Sequence, residues 1–305
     1  MFQEKRALFV YCVSPVHMGA GTALGVIDNP IQRERHTDYP IIIGSGLKGA
    51  LRHGLGWTDK ADIKAVFGPE TTESSEQAGA VSFGDAQLVA FPVRSPKRAF
   101  VYATSPTALA RAARLLNIAG VESKWQIASV LPDQCRFVNP DLLSGDEVAL
   151  ESFVFKAQLD PNLRQISEWL ADNALSKEAA YQFFRDKLRD DLVLLSDEDF
   201  GYFVRNATVV EPHVRIEDAT GTAKGTGLFY TENLPPESLL LAPVMASQER
   251  NREGKKRSAE EVMALLVNGK DNAKGIDGCQ LQIGGDATTG RGQVILNLAK
   301  GGKDA

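Results

Sequence analysis

Residues 7–13, ALFVYCV, form an unbroken apolar run that Ser14-Pro15 stops. The run is β-prone and of strand length, and it predicts a buried first strand. A shorter apolar run at 41–43 leads into Gly44-Ser45-Gly46, after which the pattern predicts a helix from Ser45, as N-cap, to about residue 55. Gly49 and Gly54 weaken that helix, so packing must hold it. A second short helix over 59–67 ends at Gly68-Pro69, and a polar stretch at 71–77 reads as a mobile loop. Strands follow at 80–92 and 98–104, with Phe83 and Phe91 facing the core. Ser105-Pro106 places a cap before a proline at N1, and the amphipathic helix over 107–118 carries Arg111 and Arg114 outward. The order so far is β, α, β, β, α; strands at 137–138 and 148–155 would supply the last strand of a ferredoxin-like unit.

From Asp160 the period changes. Residues 162–170 and 177–188 are helical by pattern, and Ser196 caps a third short helix to 204. Alternation over 206–216, the turn Ala219-Thr220-Gly221 and a second strand to about 230 predict a long β-hairpin. A strand at 238–247 and a helix at 259–267 come next. Residues 278–283 and 292–298 frame a glycine-rich loop, and the tail from Lys300 reads as frayed. No repeat of fixed period occurs; both ends of the chain join a strand to a glycine-rich loop.

With 305 residues the chain sits just past the ~250–300 at which single cores divide, so one elaborated domain or two tightly joined ones both fit. The hydrophobic content of 43% supplies a real core. The net charge of −5 confines any nucleic-acid site to a local basic patch. Cys12, Cys135 and Cys279 lack CxxC or CxxH spacing, which argues against structural zinc and for buried free thiols in a reducing compartment. No apolar run approaches ~18 residues, and the first apolar run lacks a signal peptide's length and cleavage site. The expected setting is the cytoplasm, away from membranes.

The chemistry gathers between residues 14 and 52. His17 stands beside Gly19, Gly21 and Gly25; Asp28 precedes Asn29-Pro30; Arg33, Arg35 and His36 follow; Ser45, Lys48 and Arg52 belong to the first helix. Glycines let a phosphate approach the backbone, and a helix start offers free N–H groups to an anion. An acid, an imidazole, a phosphate-type cradle and four Arg/Lys suit a phosphodiester better than a neutral small molecule. Read alone, a loop histidine is more often structural, and an aspartate before Asn-Pro is commonly an Asx-turn acceptor. The pKa of about 6.5 for a free imidazole nonetheless lets His17 move a proton near neutrality.

Other readings fail on spacing. The loop GGDATTGRG at 284–292 places Arg291 and Gly292 where a P-loop needs Lys and Ser/Thr, and Asp286 adds a negative charge; alone it reads as a tight turn. No GxSxG supports a serine nucleophile, and no GxGxxG follows the first strand. His17, His36, His53 and His213 are too scattered for a metal motif. No RNP1-like octapeptide occurs, so RNA would be held by loops, basic residues and the hairpin rather than by sheet aromatics. The basic run ERNREGKKR at 249–257 fits a solvated loop and an RNA-facing loop equally well.

The segment 14–52 resembles the glycine-rich entry of RAMP proteins, the ferredoxin-like subunits of CRISPR effector complexes. LGVIDNPIQRERHTDYP followed by IGSGLKGALR narrows the resemblance to the backbone-subunit family of type III-B (Cmr) complexes, and LQIGGDATTGRGQV at 281–294 resembles that family's C-terminal glycine-rich loop. It covers both ends and the hairpin near 213–232, and is weak over about 120–200. It implies a single α+β RAMP domain over 1–305. A ferredoxin-like, RRM-type palm is built from both ends, with a helical insertion at about 160–204 and a hairpin thumb at about 206–231. It also implies an endoribonuclease that stacks with copies of itself and other Cmr subunits along a CRISPR guide RNA, and cuts complementary single-stranded target RNA at regular intervals. Asp28 lies where the family motif places the aspartate required for cleavage, and Glu232 in LFYTENLP resembles an acidic position near the cleaved phosphate. With His17 these are the candidate catalytic residues. Arg33, Arg35, Ser45, Lys48, Arg52, Gly284, Gly285 and Arg291 are the candidate RNA contacts. A carboxylate with an ordinary pKa is a weak base for a 2′-hydroxyl, so Asp28 is expected to hold a divalent cation, Mg or Mn. A non-catalytic guide-binding scaffold and a stand-alone RNA-processing nuclease are the alternatives.

Overall fold

A computed structural model describes residues 1–69, 78–250, 256–270 and 273–299; the polar loop at 71–77, residues 251–255 of the basic run and the tail from Lys300 lie outside the described residues. The strands Glu4–Cys12, Ala86–Ser95, Leu239–Ala246 and Gln293–Leu298 and the helices Gly44–Gly54 and Ala259–Asn268 run β, α, β, β, α, β along the chain. In space the order is Gln293–Leu298, Glu4–Cys12, Leu239–Ala246, Ala86–Ser95, antiparallel at each step. This is the ferredoxin-like arrangement. Its third strand, second helix and last strand come from the C-terminal quarter, so the strands near 137 and 150 do not complete it.

Those strands extend the same sheet instead. Beyond Ala86–Ser95 the order is Ala99–Thr104, Leu192–Leu195, Gln134–Phe137, Phe153–Leu159, Glu147–Leu150. The expected strand over 148–155 is thus two strands, broken at Glu151, whose φ is +51°. The buried strand Leu192–Leu195, LVLL, has no counterpart in the pattern reading. Four apolar residues carry too little period to separate strand from helix.

The first strand is apolar throughout because both of its faces are covered. Leu8, Val10 and Cys12 pack in one layer with Leu47 and Leu51 of the first helix and Val262 and Leu266 of the last. Phe9 and Tyr11 pack in the other with Leu109 and Leu116 of helix Pro106–Ile118 and Leu163 and Ile166 of helix Pro161–Asn173. Cys12, Cys135 and Cys279 are buried free thiols, and Phe83 and Phe91 are core residues. No helix among the described residues is long and apolar enough to cross a membrane.

Two expectations about side chains change. Ser45 is not the N-cap of the first helix: Ile43 occupies that position, Ser45 is exposed in the first turn, and the Gly44 N–H donates to Asp85 Oδ1 at 2.7 Å. A carboxylate from a distant turn thus takes the role expected of a local hydroxyl. Arg111 does not face outward; it forms a fork with Glu34, at 2.7 and 2.6 Å, while Arg114 is exposed.

Glu237, in the turn before strand Leu239–Ala246, has φ +69° and a buried Oε2 that lacks a partner. Burial pushes its carboxyl up to about 7. The folded chain therefore keeps a proton that the unfolded chain releases at lower pH, and stability falls as pH rises from the ordinary carboxylate range through 7. Glu237→Gln is expected to flatten that slope and to raise the urea midpoint at pH 8 more than at pH 5, measured by equilibrium unfolding at both.

Candidate functional site

The hairpin strands Val209–Ile216 and Ala223–Asn233 form a two-stranded sheet of their own. An isolated hairpin is marginal in water, so its base needs another partner. The glycine-rich N-terminal segment is that partner, along the free edge of the second strand. Tyr230 donates its N–H to Asp28 Oδ2 at 2.7 Å and accepts from the Asn29 N–H at 3.0 Å. The Glu232 N–H donates to the Asn29 carbonyl at 3.0 Å, and its carbonyl meets His17 Nδ1 at 2.7 Å. Leu234 and Val16 exchange both of their backbone bonds at 2.9 Å. Alternate residues of one strand edge thus spend their polar groups on Val16, His17, Asp28 and Asn29. Strand residues two apart are separated by roughly 7 Å, which brings His17 and Asp28 to the same edge.

These bonds define chemical states. A carbonyl only accepts, so His17 Nδ1 carries the proton and neutral His17 keeps its lone pair at Nε2. A Cβ on Gly19 would lie 2.9 Å from that Nε2, so Gly19 leaves room for the imidazole. Asp28 Oδ2 is engaged by Tyr230, whereas Oδ1 has no partner among the described residues. Glu232 is buried, and its carboxylate accepts from the Ile31 N–H at 3.0 Å, the Thr208 hydroxyl at 2.8 Å and Arg33 Nη2 at 2.5 Å.

The C-terminal glycine-rich loop closes on the N-terminal one. Gly285 donates its N–H to the His17 carbonyl at 2.9 Å, and a Cβ on Gly284, at φ +83°, would lie 2.3 Å from that oxygen. These glycines serve the contact between two loops. Arg291 points to the hairpin, forking onto Glu211 at 3.2 and 2.5 Å.

The other candidates divide by exposure. Arg33 is turned inward, donating to Glu232 and to the Asp38 and Val204 carbonyls. Arg35 and Ser45 are exposed. Lys48 is half-buried, and burial with Arg52 and Arg250 nearby lowers its pKa. Arg52 spends one nitrogen on the Gly68 carbonyl at 2.7 Å. The structure therefore brings Asp28, His17, Glu232, Gly284 and Gly285 together at the hairpin base, and gathers Lys48, Arg52 and Arg250 into a separate basic patch. Tyr230, Thr208 and Glu211 were not among the sequence candidates, and Arg250 entered only as part of the basic run at 249–257. No group of three His, Cys, Asp or Glu that could hold a metal ion is assembled among the described residues.

The RAMP superfamily model matches residues 9–295. The chain is 36% identical over 296 residues to the CRISPR system Cmr endoribonuclease Cmr4 of Pyrococcus furiosus, covering 95% of this chain and 94% of that one. The crystal structure of oligomeric Cmr4 from Pyrococcus furiosus superposes with a TM-score of 0.72 at 29% identity, covering 97% of this chain and 98% of that one. A chain of the type III-B Cmr-beta complex bound to cognate target RNA shares the fold, with a TM-score of 0.71 at 20% identity and coverage of 97% and 98%.

The contact between the two loops is directly testable. Gly284→Ala adds a methyl against the His17 carbonyl at a backbone angle that disfavours side chains. It is expected to cost about 1–3 kcal/mol by chemical denaturation. Gly278→Ala, also at positive φ but with open space around it, meets only the backbone penalty and should cost less.

Proposed function

The chain belongs to the RAMP superfamily and, within it, to the Cmr4 family, and from that premise we propose that it is the repeated backbone subunit of a type III-B CRISPR ribonucleoprotein. It binds guide RNA and cleaves complementary single-stranded target RNA, in the cytoplasm and within an assembly of its own copies and other Cmr subunits. Head-to-tail contacts of one chain with the next do not close on themselves, which lets such an assembly follow a strand. The observation that carries the cleavage reading is Asp28. One carboxylate oxygen is fixed by the hairpin, the other has no partner among the described residues, and His17 is held on the same strand edge.

The hairpin presents Val210, Val214 and Leu228 to solvent on one face. An exposed apolar ribbon is suited to wedge between bases, and a splayed nucleotide can align its 2′-oxygen with its own phosphorus. Attack by that oxygen closes a cyclic phosphate and expels the 5′-oxygen of the next nucleotide. His17 Nε2, whose lone pair the Nδ1 hydrogen bond leaves available, is the group to take or return the proton. The donors among the described residues do not form a closed metal site. A single carboxylate oxygen without a partner among the described residues would suit a hard divalent cation, and Asp28 would hold it. Such an ion supplies charge neutralisation at the phosphate. Lys48, Arg52 and Arg250, with the exposed Arg35 and Ser45, are the proposed contacts to guide phosphates, and Gly284, Gly285 and Arg291 line the approach at the hairpin base.

Asp28→Asn tests the reading. Its amide oxygen still accepts from Tyr230, so the complex should assemble and capture target normally while cutting it about 100-fold more slowly or worse. Chelator should reproduce the defect in the parent. Cutting at the parental rate would leave Asp28 a strut and the chain a guide-binding scaffold.

Lys48 gives a second test. Its ammonium is disfavoured in the free protein, so Lys48→Gln should leave thermal stability equal or higher. RNA affinity should fall, and its logarithmic salt slope should shrink by about 0.7. A lower melting temperature with an unchanged slope would mark Lys48 as structural.

A further inference from the structure

Behind Asp28 and His17 the hairpin base is organised by one buried ion pair. Glu232 and Arg33 meet at 2.5 Å with side-chain exposures of 4% and 16%. Glu232 also holds Ile31 and Thr208 through its carboxylate, and Asn29 and His17 through its backbone. Arg33 Nη1 reaches the Asp38 carbonyl at 2.8 Å and the Val204 carbonyl at 3.0 Å, in the last turn of helix Asp197–Asn206. A guanidinium suits a helix C-terminus, where carbonyls lack partners. Three segments meet at this pair: the loop that carries Asp28, the hairpin and the helical region.

We infer that Arg33 and Glu232 are positioning residues for the cleavage reaction, clamping segment 28–33 to the hairpin base so that Asp28 and His17 keep a fixed separation. The inference rests on the reading of Asp28 given above. Burying two charges is costly unless their remaining hydrogen-bonding groups are satisfied, and an apolar pair would fill the space without that cost. What an apolar pair lacks is direction. A planar guanidinium fork fixes the angle and register of every acceptor it meets. The same geometry removes Arg33 from the set of phosphate ligands, because reaching RNA would leave Glu232 buried without its cation. A displacement of about 1 Å at a reacting group can cost 100-fold in rate, so a clamp at this point acts on turnover rather than on affinity.

The test uses the complex assembled with guide RNA and matched target, comparing Arg33→Gln, Arg33→Lys and Thr208→Val with the parent. Arg33→Gln is expected to lower single-turnover cleavage at saturating target about 10-fold or more, with target Kd and the salt slope of guide binding unchanged. Arg33→Lys, which keeps one charge for Glu232, should recover part of the rate. Thr208→Val removes one hydroxyl bond to Glu232 while leaving both charges of the pair in place, and should show a smaller loss of the same kind. It also serves if Arg33→Gln does not fold. Hydrogen exchange at the Ile31 and Glu232 amides should quicken in the variants of the free protein. A salt slope reduced by about 0.7 in Arg33→Gln would make Arg33 a phosphate ligand and overturn the inference. So would parental cleavage rates in Arg33→Gln and Thr208→Val alike. A parent complex that cuts nothing sinks the reading of Asp28, whereas unchanged amide exchange sinks the clamp whatever the parent does.

Discussion

A β-strand edge cannot leave its N–H and C=O groups without partners once it is enclosed, and this requirement shapes the site. The edge formed by Tyr230, Glu232 and Leu234 satisfies it with the N-terminal glycine-rich segment. The consequence runs in both directions. The hairpin, which has no wider sheet to join, gains a base. The segment, which has little regular structure of its own, gains a register that fixes His17 and Asp28. Gly284 and Gly285 seal the arrangement from behind by lying against the His17 carbonyl.

Electrostatics divide the basic residues into two populations. Arg33, Arg111, Arg257 and Arg291 are paired with Glu232, Glu34, Asp62 and Glu211, and they join segments of the fold. Lys48, Arg52 and Arg250 lie near one another instead, and burial of Lys48, with the two guanidinium groups nearby, lowers its pKa. Cations held together in this way are relieved by an anion. A net charge of −5 thus coexists with a local basic patch for which no ion pair is found among the described residues.

The ferredoxin-like unit is assembled from strands that begin at residues 4, 86, 239 and 293; five strands between residues 99 and 195 extend the sheet beyond Ala86–Ser95, and Gln280–Gln282 pairs at the opposite edge. That topology brings both glycine-rich loops to one end of the first strand. Its neighbours are Gln293–Leu298 on one side and Leu239–Ala246 on the other, and the latter follows directly from the hairpin. The site is thus a product of strand order: three distant stretches meet because the first strand lies between Gln293–Leu298 and Leu239–Ala246.

The sequence by itself determined the local elements. The buried first strand, the caps at Ser105 and Ser196, the hairpin and the two glycine-rich loops follow from period, capping chemistry and turn residues within a few positions. Local pattern alone left His17 a loop histidine and Asp28 a turn acceptor; the resemblance to a family motif made them candidates. Only the tertiary structure decided the partners. Arg33 turns to a carboxylate 199 residues away and Arg291 to one 80 residues away, Asp85 takes the capping role expected of Ser45, and Leu192–Leu195 becomes an interior strand. Propensity and periodicity act over a turn or two of chain. Which buried charge meets which, and which strand lies beside which, depends on contacts that exist only after the sheet has assembled.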